Sequence, residues 1–335
     1  MKSTKTTKII QVSILLLIVA AIILFVVLIP KKDTVTEKEG FYFDTVVNIR
    51  VYSSKDAKYL DDCMDICQKY ENLFSRTKED SDIYNINHSD GQSVEVDPDT
   101  YFLLSKSLEF CEETNGAVDI TVAPLMDAWG FTAKSAISKL DSSEDLNGIV
   151  LNTSKPSDET LNALLENVDY HNVILEDSNH VRLSNPNSQV DLGFIAKGFI
   201  ADKLKEYLVE NGVEHAVISL GGNIVVIGSK PDGSDYNIGI KDPDNTGDII
   251  DSVKVSDKSI VTSGTYERYI EYDGIKYHHI LDTKTGYPVD NNIKSVTILS
   301  DSSMEGDALS TICLILGEEK SKLLLDKYNS KAIFY

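Results

Sequence analysis

The stretch from Asp191 to Asp202, DLGFIAKGFIAD, limits the fold of this chain more than any other, because so few residues have to hold a strand end, a turn and a helix start. Gln189 to Leu192 reads as the end of a strand. Gly193 and Gly198 relax the backbone, and Ile195, Phe199, Ile200, Leu204, Tyr207 and Leu208 recur at helical spacing. The free N–H groups and positive dipole end of such a helix start favour anions, and Lys197 in the turn adds a full charge. That combination suits a phosphate. The plain alternative is a solvated lysine beside glycines that merely permit tight packing. The spacing matches neither G-x-G-x-x-G nor a Walker loop.

The segment Ile9 to Ile29 is 21 residues long with only Gln11 and Ser13 polar, enough at helical rise to cross a bilayer. It ends in Pro30, Lys31 and Lys32 with no small-residue cleavage pattern, and the first cysteine is Cys63. An uncleaved signal anchor is therefore expected. Lys2, Lys5 and Lys8 point the amino terminus inward and place the body outside the cytoplasm, at the cell membrane. The expected organisation is a cytoplasmic N-terminus over 1–8, a transmembrane helix over 9–29, a linker over 30–40 and one folded domain over 41–335.

Without the five lysines that flank the apolar run, 27 basic residues face 53 acidic ones, about −26 in all. So acidic a body does not bind nucleic acid or anionic headgroups through charge. Four cysteines are too few for a disulfide framework and lack zinc-ligand spacing. Cys63 and Cys67 fit the buried face of an amphipathic helix over 55–73.

The alternation of Phe41, Phe43, Val47, Ile49 and Val51 predicts a strand from Phe41 to Tyr52. Helices are expected over 97–114, closed by Asn115 and Gly116, and over 157–167, where Ser157 and its followers resemble a capping box. Strands over 173–175 and 181–183 form a hairpin. The region 131–168 is otherwise a surface excursion rich in Ser, Asp and Lys. A helix closing at Asn211 and Gly212 leads to strands at 215–220 and 224–227, then 236–240, 252–255 and 295–300.

Four further clusters carry chemistry. Gly221, Gly222 and Asn223 between two apolar strands let something approach the backbone, or simply turn the chain. Thr262 and Ser263 beside Gly264 offer small donors, with Tyr266 and Arg268 alternating after them along an expected strand. His279 is suited to take a proton from a hydroxyl, and Asp282 is a candidate to orient it; His278 would face the other way. Asp307 and Thr311 share a helix face, and two oxygen ligands beside a diphosphate suit Mg2+. On spacing alone Asp307 is as readily a helix cap. Asp119 and Thr121 are either ligand-binding or turn residues, and Trp129 is read as core.

Taken in order, DLGFIAKGF at 191–199 resembles the D-x-G-x-x-A-K-G-[YF] signature of the ApbE family, the FAD:protein FMN transferases. Residues 116–131 resemble its G-x-x-D-x-T-v-x-P-l-x-x-x-W-G-F segment, and 217–224 its l-I-x-x-G-G-N-I. Residues 259–268 and 279–288 follow as x-x-x-T-S-G-x-Y-x-R/x and H-I-I-D-P-x-T-G-x-P, with His279 on the histidine and Thr283 in place of the proline. Residues 306–311 resemble its metal site. The resemblance covers 41–335 and implies an α+β catalytic domain of T-fold type, with antiparallel sheets and packed helices. It implies FAD as substrate and Mg2+ held by Asp307, Thr311 and the Ala196 carbonyl. His279 and Asp282 are implied as catalytic. Asp119, Thr121, Asp191, Lys197, Gly221, Gly222, Asn223, Thr262 and Ser263 are implied to bind the flavin nucleotide. The implied reaction moves FMN onto a Thr or Ser hydroxyl of an acceptor protein, a subunit of an extracytoplasmic electron-transfer complex, and releases AMP. Thr77 stands where many members have an aromatic residue, which keeps an FAD diphosphatase open; a membrane-tethered flavin-binding domain without turnover is the alternative from another class.

Overall fold

The computed structural model describes residues 34–132, 149–150, 155–245 and 247–335. The segment expected to span a membrane, 9–29, lies outside them, as does most of the excursion after Phe131. Among the described residues no helix is long and apolar enough to cross a membrane.

In chain order the strands are β1 (Thr36–Tyr42), β2 (Thr45–Val51), β3 (Val94–Glu95), β4 (Ile149–Val150), β5 (Val173–Glu176), β6 (His180–Leu183), β7 (Ala216–Leu220), β8 (Asn223–Ile227), β9 (Tyr236–Lys241), β10 (Ile249–Val255), β11 (Ser259–Gly264), β12 (Arg268–Tyr272), β13 (Ile275–His278), β14 (Ser295–Ser300) and β15 (Lys331–Phe334). The helices are α1 (Leu60–Phe74), α2 (Asp82–Asn87), α3 (Pro98–Glu113), α4 (Ala123–Trp129), α5 (Asp158–Leu165), α6 (Ala196–Glu210), α7 (Ser303–Leu316) and α8 (Glu318–Lys327).

A sheet in the order β1-β2-β7-β8-β11-β14-β15 forms the backbone of the body, antiparallel at every pairing. Period-two burial in β2 and β7 turns Val47, Ile49, Val51, Ala216, Ile218 and Leu220 to one face. There they meet Phe199, Leu204 and Leu208 of α6 and Leu309 and Ile312 of α7, and Cys63, Cys67, Tyr70 and Phe74 of α1 share the same core. Burial pushes the Cys63 and Cys67 thiols up to about 12, so they are inert core side chains. The ribbon β9–β10 covers the opposite face through Tyr236 and Val255, packed on Val226 and Ile260. Helix capping follows the sequence: Asp97 accepts from Asp99 N ahead of Pro98, and Ser157 from Thr160 N.

Three local expectations give way. The continuous strand over Phe41 to Tyr52 is two strands, and β1 already starts at Thr36 inside the stretch expected as linker. The two-residue turn pairs Tyr42 with Thr45 and Phe41 with Val46, so exposed Phe41 lies on the face opposite buried Val47, Ile49 and Val51 although the sequence alternation runs on through the turn. Phe43 and Asp44 fill that turn at φ 55 and 57, left-handed values uncommon for such residues, with none of the Asn-Gly chemistry that signals it. Gln189 to Leu192 makes one bridge, Gln189 to Val122, and one bond from Asp191 N to the Ile120 carbonyl, but no strand. Tyr266 and Arg268 do not continue β11; the chain turns after Gly264 and Arg268 opens β12 in a different sheet.

Candidate active site

Two helix starts build one wall. Helix α6 begins at Ala196, and Ile195 before it has no side chain to cap the free amides. The cap comes from across the interface: Gly198 N donates to Asp307 Oδ2 at 2.8 Å. Gly198 is required for that contact, since a Cβ there would lie 2.2 Å from the Ser303 carbonyl oxygen and 2.7 Å from the Asp307 Cβ. Asp307 is only 4% exposed, and burial raises its carboxyl to about 6, opposed by the charge of Lys197. Asn223 is buried beside it. Its Nδ2 has no hydrogen-bond partner in good geometry, although it lies close enough to favour the charged carboxylate.

These residues face an open cavity of about 520 Å3, into which Ala196, Lys197, Gly222, Thr262, Ser263, Asp307 and Thr311 project from one side and Arg268 and His279 from another. Gly222 lies flat against its neighbour: a Cβ would sit 2.5 Å from the Thr262 carbonyl oxygen. Gly221, at φ +61, makes the turn, and neither it nor Asn223 lines the cavity. The hydroxyls hold one another in place, Thr262 to Thr297 at 2.8 Å and Ser263 to Ser310 at 2.6 Å and to Thr311 at 3.2 Å.

His279 follows directly on β13. Its backbone N and its ring Nδ1 both address the Arg268 carbonyl, at 3.1 and 3.2 Å. A carbonyl accepts only, so Nδ1 carries the hydrogen and Nε2 keeps a lone pair. Burial pushes the ring pKa well below its ordinary value, and the Arg268 and His278 charges push the same way. His278 turns aside to the Val289 carbonyl and takes no part in the cavity wall.

Other expected residues are spent on local structure. Asp282 does not orient His279: its carboxylate accepts Lys284 N at 2.8 Å, and its backbone closes the turn to Gly286 and Tyr287. A carboxylate four residues beyond a strand end is claimed by the turn it opens. Asp119 lines the cavity, but its oxygens accept from Thr121 N, Thr121 Oγ1 and Tyr170 N at 2.6 to 2.8 Å. Thr121 is fully buried and outside the cavity wall. Thr283, in the place of a proline, donates to the Gly116 carbonyl at 2.6 Å. Trp129 is core, its Nε1 on the Gly286 carbonyl at 2.8 Å.

Asp191 lines the cavity in an ion pair with Arg76, Nε to Oδ2 2.9 Å, while its other oxygen accepts Gly193 N. Arg76 also binds Asp127 through two nitrogens, tying the Ser75–Lys78 loop with Thr77 to the wall. Arg76 carries no signal beyond its charge, and the sequence marks Arg268 only as a strand position closing the 259–268 segment. The Phe43–Asp44 tip, also in the wall, was hidden inside an apparent strand.

Comparison with known proteins identifies the family and the fold. The ApbE family matches residues 43–334. The chain is 33% identical over 306 residues to an FAD:protein FMN transferase of Treponema pallidum (strain Nichols), covering 85% of this chain and 79% of the relative. It is 34% identical over 260 residues to one from Klebsiella pneumoniae (strain 342), covering 76% and 74%. Among solved structures, an ApbE protein from Thermotoga maritima superposes with a TM-score of 0.78 at 32% identity over 90% of this chain and 94% of that one. The flavin transferase ApbE from Vibrio cholerae gives 0.75 at 27% identity over 90% and 93%.

Proposed function

The chain belongs to the ApbE family and is a transferase, and from that premise we propose that it moves FMN from FAD to a Thr or Ser hydroxyl of an acceptor protein and releases AMP. The observation that carries this is the meeting, in one open cavity, of two cations, Lys197 and Arg268, with a histidine whose Nε2 is free to take a proton. A nucleotide diphosphate needs the first and a hydroxyl nucleophile the second.

In this scheme Lys197, helped by the positive dipole end of α6, holds the diphosphate. The acceptor oxygen attacks the FMN phosphorus, the bond to the AMP oxygen breaks, and the hydroxyl proton passes to His279 Nε2. The depressed ring pKa keeps that nitrogen unprotonated until then. Gly222 lets part of the nucleotide lie against backbone, because no side chain stands between it and the cavity.

The donor set fits Mg2+. Asp307 is a buried carboxylate with no ion pair to a protein cation among the described residues, Thr311 adds a hydroxyl on the same helix face, and Ala196, whose carbonyl would be the third protein ligand, lies in the same wall. No three His, Cys, Asp or Glu side chains converge among the described residues, which suits an ion that draws most of its shell from water and substrate. Bound there, Mg2+ would offset charge on the diphosphate. The apolar run 9–29 would tether the domain outside the cytoplasm, where its acceptor would be a subunit of a membrane electron-transfer complex.

Thr77 favours one alternative. It leaves a small side chain in the cavity wall, so water could replace the acceptor and make the chain an FAD diphosphatase. The test is to incubate the full chain with FAD, Mg2+ and a flavin-acceptor domain and follow AMP together with the acceptor's intact mass. AMP with a mass gain of one FMN residue supports transfer. AMP with free FMN and an unmodified acceptor supports hydrolysis, and FAD binding without AMP refutes both.

A further inference from the structure

We infer that Asp202 is the positioning residue of the site, the group that fixes helix α7 against helix α6 and thereby sets Asp307 opposite Ala196 and Lys197. Asp202 does not line the cavity and touches no part of it directly. It sits one turn after Gly198 on α6, as Asp307 sits one turn after Ser303 on α7.

The contacts across the interface are reciprocal. Asp202 Oδ1 accepts Ser303 N at 2.8 Å; Oδ2 accepts Met304 N at 2.9 Å and the hydroxyl of Ser302, the N-cap of α7, at 2.7 Å. One turn away Asp307 accepts Gly198 N at the start of α6. Each helix therefore receives its N-terminal carboxylate from the other, placed where the backbone dipole favours it.

The apolar contacts around this interface, Phe199 and Leu204 with Ala308 and Leu309, are non-directional and allow sliding. Gly198 fixes how closely the helices approach, but not their register. The two carboxylate rungs fix sliding and rotation together. Without Asp202, Ser303 N is a buried donor with no acceptor, so the first turn of α7 loosens just ahead of Asp307.

This inference rests on the Mg2+ assignment above, and the test separates the two. Mn2+ binding to the purified full chain without FAD is measured by electron paramagnetic resonance for wild type, Asp202→Ala and Asp202→Asn. The expected result is affinity about 10–100-fold weaker in Asp202→Ala, the range for residues that orient metal ligands. Asp202→Asn keeps an acceptor oxygen and should fall between. The Mg2+ concentration for half-maximal FAD turnover should rise by the same ratio, with KM for FAD at saturating Mg2+ unchanged. If both variants bind Mn2+ as wild type does while their melting temperatures fall, Asp202 is only a cap and the inference is overturned; if Asp202→Ala does not fold, Asp202→Asn decides alone. Failure of the wild-type chain itself to bind Mn2+ overturns the metal assignment, and this inference with it.

Discussion

The wall built by α6 and α7 and the wall built by residues 116–121 and 279–288 are equally rich in motif residues, yet they use their carboxylates in opposite ways. On the second wall Asp282 accepts the N–H of Lys284 two residues on, and both oxygens of Asp119 are taken, by Thr121 N and its hydroxyl and by Tyr170 N. On the first, Asp307 spends one bond on a helix 109 residues distant and otherwise faces the cavity. A carboxylate whose acceptor sites are taken by the protein itself is structural. One held at a long-range contact, buried and short of partners, is available for a ligand, and it costs the fold something to keep.

Asp307→Ala breaks that contrast most strongly. FAD turnover should fall on the order of 10^3-fold, the scale for losing a preorganised electrostatic contact. Losing the Gly198 N contact should cost the metal-free variant about 1 kcal/mol, offset in part by removal of a carboxylate buried without an ion pair, whereas any stabilisation by added Mg2+ should be confined to wild type. A much larger metal-free loss of stability, with wild type and variant responding alike to Mg2+, would make capping the whole role of Asp307.

Next comes Gly198→Ala. The added methyl would press on Ser303 backbone and Asp307 together, so the helices must part. Overpacking should cost about 1–3 kcal/mol in chemical denaturation. The displaced Asp307 should cost turnover roughly 10^2-fold even where the protein remains folded. Full activity would show that the close helix contact serves only packing.

On the other wall His279→Ala should lower turnover by about 10^2-fold or more with FAD affinity nearly intact, as expected for losing a general base. The pH dependence sharpens this. Burial and Arg268 depress the His279 pKa below 6.5, so the working neutral form persists through that pH and the acid limb of kcat lies below it. The stability sign is the same: the unfolded chain takes up the proton first, and this contribution is lost as pH falls through the folded value. Arg268→Met should move the limb upward, toward 6.5, by less than burial has moved it down. A limb unmoved by that change would mean that Arg268 lies too far from the ring to matter.

The contrast also explains what could be read in the sequence. The glycines at 198 and 222 were legible because close approach leaves no alternative residue, and Lys197, His279, Asp307 and Thr311 came with them into one cavity. Helix starts at Asp97 and Ser157 were legible from local capping. What was not legible was long-range or locally disguised. Arg76 and Arg268 have meaning only through partners far along the chain, and the Phe43–Asp44 tip keeps the alternation of a strand while its backbone turns left-handed. Asp282 shows the converse: closeness to His279 in sequence suggested a pair, whereas the carboxylate accepts Lys284 N in the turn that follows.

Asp282→Asn is the smallest and most exacting test of that difference. An asparagine side-chain oxygen can accept Lys284 N as the carboxylate does, so the turn survives and only the charge is lost. If the turn is its whole role, kcat should change by less than about 3-fold and stability by no more than about 0.5 kcal/mol, as for substitutions that leave the local bonds intact. The acid limb of kcat should stay where it was. Were Asp282 instead to hold the imidazole in the working complex, the same change would mimic loss of an orienting carboxylate, with kcat down by orders of magnitude at unchanged stability. Asp282→Ala separates the two further: it removes the turn bond and should cost about 1 kcal/mol of stability, with the chemistry affected only as far as the loop carrying His279 shifts.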